Sequence, residues 1–162
     1  MPPSVPVAAL LAAMLLAACA QTPARWTMPP APPAATPIGA ELTLTKSATC
    51  ECCAGHADYL VAAGMRVTVQ VVDDPAEIKD RYGVPGQMRS CHTSIVGDYF
   101  VEGHVPLAAI EKLLAERPAI DGIALPGMPA GAAGMGGEME GPLVVHAIRD
   151  GAVAGEFGSF TP

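Results

Sequence analysis

Basic side chains are scarce. Nine Lys and Arg stand against 16 Asp and Glu in 162 residues, a formal charge of −7. The positive footprint that neutralises a phosphate backbone is missing, so no nucleic-acid partner is expected. Charged residues of both signs together make up only 15%. Glycine has no period of three, which excludes a collagen, and 17 prolines interrupt the helix formers that a coiled coil needs. No internal repeat is visible. The hydrophobic fraction of 51% is inflated by alanine and by the first twenty residues, and does not signify a membrane domain. The apolar run Val7 to Ala18, twelve residues, is too short to cross a bilayer. What is left is about one soluble domain.

That run has the length of a signal-peptide hydrophobic region, and residues 1–24 carry no charge. It ends in Leu16-Ala17-Ala18-Cys19, which resembles a lipobox. Cys19 is therefore expected to be lipidated, tethering an exported chain to the membrane. Cleavage after Ala20 also fits, because Ala18-Cys19-Ala20 is a small-x-small site, and it exports the chain equally. Residues 20–39 carry six prolines, Pro23, Pro29, Pro30, Pro32, Pro33 and Pro37, and read as an extended linker. The expected organisation is a lipoprotein-type signal peptide (1–19), a Pro-rich linker (20–39) and one domain (40–162).

Within the domain, Glu41 to Lys46 alternates as a strand, Cys52 to Ala63 suits a helix stopped at Gly64, and Arg66 to Val72 is β-branched. Asp74-Pro75 begins a short helix that Gly83 ends. Two short strands, Cys91 to Val96 and Tyr99 to Glu102, flank Gly97-Asp98, and Pro106 to Arg117 forms a helix. The order β-α-β-α-β-β-α predicts an α/β fold with a right-handed parallel crossover. It matches a thioredoxin-like domain, although periodicity alone leaves other α/β arrangements open. From Asp121 to Gly141, seven of 21 residues are glycine, which predicts a loop that no core holds rigid. Leu143 to Arg149 and Ala152 to Phe157, joined at Asp150-Gly151, predict a closing hairpin.

Chemistry concentrates in cysteine. With Cys19 assigned to the leader, three of the remaining four lie in Cys50-Glu51-Cys52-Cys53, at a predicted strand-to-helix junction. A helix N-terminus favours thiolate over thiol. Cys50 and Cys53 have the C-x-x-C spacing of a redox dithiol, but Cys52 would compete for any mixed disulfide. Converging thiolates repel one another, and a soft cation such as Cu(I) relieves the repulsion, with sulfur able to bridge two ions. Cys91 and His92, in Ser90-Cys91-His92-Thr93, can approach the same point, and His104 follows the second short strand. His56 stands at i+4 from Cys52, as an extra ligand or as a solvated helix residue. Met128, Met135 and Met139 offer thioethers on a mobile lid, or form plain linker. His146 and Met88 read as structural, and Asp73, Asp74, Glu138 and Glu140 as solvated charge. Structural disulfides are the ordinary use of cysteine in an exported protein, but Cys52 and Cys53 are adjacent, and a vicinal disulfide is strained.

Cys50-x-Cys52-Cys53, Gly83-Val84-Pro85, Ser90-Cys91-His92-Thr93, Glu102-Gly103-His104-Val105-Pro106 and Leu125-Pro126-Gly127-Met128-Pro129 occur in that order. Together they resemble the small exported metal-binding family, a domain of unknown function, that includes the copper-resistance protein CopG. The resemblance spans about residues 41–140. It implies a thioredoxin-like domain, a periplasmic location and a copper cluster held by Cys50, Cys52, Cys53 and Cys91 with help from His92 and His104. His56 departs from the family pattern, which more often has an aromatic residue after Cys-Cys.

The reading is therefore an exported, lipid-anchored copper-binding protein holding Cu(I) in a cysteine-bridged, polynuclear site, with Met128 as a further soft ligand. It would serve copper resistance by buffering Cu(I), by passing it to other periplasmic copper-handling proteins, or as a copper oxidoreductase interconverting Cu(I) and Cu(II). The rival is a thiol-disulfide oxidoreductase using Cys50 and Cys53, with Cys52 or Cys91 resolving. For the anchor, Cys19→Ser is expected to move the chain from the membrane to the soluble fraction on cell fractionation. An unchanged membrane fraction would remove the lipid from the account.

Overall fold

A computed structural model describes Met1 and residues 39–161. The expected signal peptide beyond Met1, nearly all of the expected Pro-rich linker, and Cys19 lie outside the described residues. The first strand, β1 (Glu41–Ser47), turns Leu42 and Leu44 inward at 1% and 0% exposure. Helix α1 (Glu51–Ala62) follows and buries Cys53, His56, Ala57 and Leu60. Those positions are spaced i, i+3, i+4 and i+7, the single stripe by which a helix covers a sheet. The chain returns as β2 (Arg66–Val72), parallel to β1 from Glu41↔Arg66 to Ser47↔Val72.

Helix α2 (Ala76–Arg81) opens where Asp74 Oδ1 accepts the Ala76 N–H at 2.8 Å. A single 3-10 turn, Gly86–Met88, leads to β3 (Thr93–Val96), which hairpins into β4 (Tyr99–Glu102). Helix α3 (Leu107–Glu116) then carries the chain to β5 (Gly122–Ala124), β6 (Leu143–Arg149) and β7 (Ala152–Phe160). The seven strands form one sheet in the order β2-β1-β3-β4-β5-β6-β7. β4 and β5 are parallel, as are β1 and β2, and the other neighbouring pairs are antiparallel. Among the described residues the fold is a mixed α/β sheet with three helices.

Strand alternation divides the apolar side chains between the two faces. On one face Leu42, Leu44, Val101, Ile123 and Val145 meet Leu60 of α1 and Ile110 and Leu113 of α3. On the other, Phe100, Ala124 and Ile148 meet Val84, with Met88 and Ile95 against them. No helix among the described residues is long and apolar enough to cross a membrane.

Three expectations are corrected. The segment 121–141 is not a loop free of the core. Its first residues are β5, hydrogen-bonded between β4 and β6, with Ile123 and Ala124 fully buried. Farther on, Ala132 is 2% exposed and Met135 and Met139 pack against the core. Three residues opening on glycine are too few for a periodicity to register, and tertiary pairing supplies what local propensity lacks. The third strand starts at Thr93 rather than Cys91, leaving Cys91 and His92 just ahead of it, and the last strand runs on to Phe160.

Ile123→Ala is expected to lower the unfolding free energy by about 2–5 kcal/mol in urea titration, as for a fully buried aliphatic residue. A loss below about 1 kcal/mol would mean that β5 is not part of the core.

Candidate metal centre

The centre is built where three chain segments meet. Cys50 is the N-cap of α1, with extended backbone angles and no side-chain cap of its own, so its sulfur is not committed to the helix. Cys52 and Cys53 lie in the first turn, where unpaired N–H groups and the helix dipole favour anionic sulfur. Cys53 is fully buried, whereas Cys50, Cys52 and Cys91 are half-buried. The four sulfurs lie within 4.8 Å of one another. Cys50 and Cys53 are joined as a disulfide, Cys52 and Cys91 are free, and Cys52 Sγ stands 3.6 Å from Cys50 Sγ. All four become available as thiolates only when that disulfide is reduced.

Cys91 also belongs to a second convergent set, with His92 and His104. Its sulfur is 3.3 Å from His92 Nδ1 and 3.1 Å from His104 Nε2. His104 Nδ1 donates to the Ala133 carbonyl at 2.7 Å, so its Nε2 is the nitrogen with a free lone pair. Burial pushes the Cys91 thiol up to about 11, and the neighbouring Cys52 adds to the rise. Burial likewise lowers His56 to about 4, with His104 adding to the effect, and it lowers His92 to about 2, where His56, His104, Lys79 and Lys46 add to it. His104 is lowered as well, again chiefly by burial. At neutral pH the centre is thus a thiol beside three neutral imidazoles. A metal ion binding Cys91 must displace its proton.

Two features hold this arrangement. Gly103, at φ +80°, turns the chain out of β4 into His104, and a Cβ there would stand 2.5 Å from the Leu125 carbonyl and 2.8 Å from Ser90 Cβ. Only glycine fits. The second is a buried polar network that spacing alone does not reveal. Glu102, fully buried, accepts from Lys79 Nζ at 2.6 Å, from the Ser90 N–H at 2.6 Å and from the Thr93 hydroxyl at 2.6 Å. Lys79 Nζ also donates to Thr93 Oγ1 at 3.0 Å. One carboxylate therefore pins the residues on either side of Cys91-His92. Its sequence signal is a charge closing an otherwise apolar strand, Tyr99-Phe100-Val101-Glu102.

The segment 126–141 crosses α1 at Gly55, where a Cβ would lie 2.7 Å from the Gly134 carbonyl. That crossing presents Ala133 to His104. The picture of a freely mobile lid is corrected accordingly: glycine serves here for close approach. Ser90 Oγ donates to the Gly127 carbonyl at 2.5 Å, which ties the chain beside Met128 to the cysteine segment, while Met128 itself is 59% exposed. His56 is buried, with Nδ1 2.8 Å from His92 Nε2 and Nε2 3.0 Å from the Val105 carbonyl. Both ring nitrogens are engaged, so the exposed alternative for this residue is ruled out.

A family described as "Protein of unknown function, DUF411" matches residues 88–135, the segment that carries Cys91, His92, His104 and the crossing loop. Two solved structures of a copper resistance protein CopG, forms 2 and 1, are 38% identical to the chain. Each alignment covers 76% of this chain and 99% of the other, with TM-scores of 0.69 and 0.67. The chain belongs to the DUF411 family, which includes CopG. No curated protein sequence matches it.

Lys79→Met would strand the buried Glu102 carboxylate. It is expected to cost about 3–5 kcal/mol in chemical denaturation. A change within about 0.5 kcal/mol, typical of a surface pair, would show that the network does not hold the centre.

Proposed function

We propose that this chain is an exported copper-binding protein that gathers Cu(I) on Cys50, Cys52, Cys53 and Cys91, with His92 and His104 as nitrogen ligands, in the service of copper tolerance. The convergence of four sulfurs within 4.8 Å at a helix N-terminus carries the reading. Thiolate and imidazole donors suit a soft ion, and carboxylates are absent from both donor sets. Cys91 belongs to both sets, and one thiolate bridging two ions is the simplest way to occupy them together, which supports a polynuclear site. The copper resistance named in the related structures agrees with this chemistry. The strand order β2-β1-β3-β4, with α1 in the first parallel crossover, supports a thioredoxin-like front half. A periplasmic location and a lipid anchor at Cys19 complete the proposal. Met128 would serve as an outer thioether from the segment that Ser90 tethers.

The chain's own groups account for the steps of loading. Reduction of the Cys50–Cys53 disulfide takes two electrons and two protons from an external thiol reductant and yields two thiols. Each thiol then gives up its proton as its sulfur takes an ion, and the α1 dipole favours the resulting thiolates. The neutral imidazoles of His92 and His104 add donors without adding charge. A mixed sulfur and nitrogen set accommodates both Cu(I) and Cu(II), which supports one-electron exchange with a partner.

The Cys50–Cys53 disulfide favours a second reading, a thiol-disulfide oxidoreductase. Copper analysis separates the two. Full chain, reduced, loaded anaerobically with Cu(I) and desalted, is expected to retain more than one copper per chain, and Cys52→Ser to lose most of it. No copper retained, with disulfide reductase activity intact in Cys52→Ser, would overturn the copper reading in favour of the redox one.

A further inference from the structure

Three imidazoles pack against one another, tilted or edge-on, beside the cysteines. The ring centroids of His56, His92 and His104 stand 4.9, 5.2 and 4.8 Å apart in pairs, and Tyr59 stacks on the outer side of His56 at 6.1 Å. The ligand set proposed above uses His92 and His104 and leaves His56 without a role. Its hydrogen bonds supply one.

A backbone carbonyl can only accept, so the Val105 carbonyl, 3.0 Å from His56 Nε2, requires the proton of His56 to sit on Nε2. Neutral His56 then has a bare Nδ1. That nitrogen is 2.8 Å from His92 Nε2 and can only accept there, so the proton of His92 sits on Nε2. The remaining nitrogen of His92, Nδ1, is bare and stands 3.3 Å from Cys91 Sγ. The chain of constraint runs from a main-chain carbonyl through two rings to the sulfur cluster. His104 reaches the same condition in one step, through the Ala133 carbonyl. Its free nitrogen is Nε2 and that of His92 is Nδ1, and both face the same sulfur.

We propose that His56 is a positioning residue that locks His92 in the Nε2–H tautomer and so presents a bare Nδ1 to the cysteine cluster. The inference rests on the ligand set of the proposed function for its consequence, though not for the tautomer itself. Without an acceptor at position 56, the buried Nε2–H of His92 loses its partner, at a cost that favours moving the proton to Nδ1, where Cys91 sulfur accepts it. The lone pair would then point away from the cluster. Groups that fix the tautomer of a ligating histidine in this way typically govern about 10–100-fold in metal affinity.

The test reads the ring nitrogens directly. Long-range proton–nitrogen correlation spectra of the reduced, metal-free, nitrogen-15-labelled full chain are expected to show His92 protonated on Nε2 and bare at Nδ1. In His56→Phe, which keeps a planar ring and removes the acceptor, the proton is expected on Nδ1. In His56→Asn, whose Oδ1 takes the place of Nδ1, it is expected to stay on Nε2. Cu(I) affinity, measured by competition with a colorimetric chelator, should fall about 10–100-fold in His56→Phe and stay near wild type in His56→Asn. A wild-type His92 carrying its proton on Nδ1, or an unmoved proton in His56→Phe, would overturn the tautomer lock. A moved proton with unchanged affinity would overturn its link to metal binding. A wild-type chain that retains no copper would overturn the copper reading and that link, while the spectra still decide the tautomer. Should His56→Phe fail to fold, the wild-type spectrum and His56→Asn carry the same decision.

Discussion

The carboxylate of Glu102 is the point on which the centre depends. Fully buried and taking three short hydrogen bonds from Lys79, Ser90 and Thr93, it fastens the end of β4 to the residues that flank Cys91 and His92. A charge in that position is tolerable only because Lys79 lies 2.6 Å away and the other lone pairs are occupied. The residues that follow β4 are Gly103 and His104, so one buried pair sets both halves of the nitrogen-bearing set. Replacing the pair with apolar side chains could preserve stability. It would also remove the groups that index β3 against β4, and with them the relation of Cys91 to His104.

Around that anchor the protein keeps its donors neutral until they are needed. The Cys91 thiol, raised by burial, retains its proton at neutral pH, and the imidazoles, lowered by burial, carry no charge. Desolvation is the largest influence against the charged form in both cases, and neighbouring groups add to it for Cys91, His56 and His92. The Cys91 side of the centre therefore releases a proton only to a cation that replaces it.

Much of this was legible in the sequence. The strand Arg66–Val72, the hairpin around Gly97-Asp98 and the helix after Pro106 announce themselves by β-branching, turn chemistry and amphipathic spacing. The clustering of Cys50, Cys52 and Cys53 at a helix start pointed to sulfur chemistry, and the C-H pair at Cys91-His92 joined it in space. β5 escaped because three residues cannot establish a period. The glycines after Leu125 were misread because the same residue serves free loops and close backbone crossings, and only the contact between Gly55 and Gly134 tells them apart. The Lys79–Glu102 pair joins residues 23 positions apart, beyond the reach of any local pattern. His56 was visible at its i+4 position from Cys52, yet its buried place between His92 and the Val105 carbonyl is one that no spacing shows.

The unequal depth of the four sulfurs has a kinetic consequence. Cys53 lies at the floor, fully buried, with Cys50, Cys52 and Cys91 half-buried at the rim. In the proposed copper site an incoming ion would meet the rim sulfurs first and exchange its carrier's ligands for them one at a time, reaching Cys53 last. Departure would reverse the sequence. On that reading a donor or acceptor would need to touch only the mouth of the site.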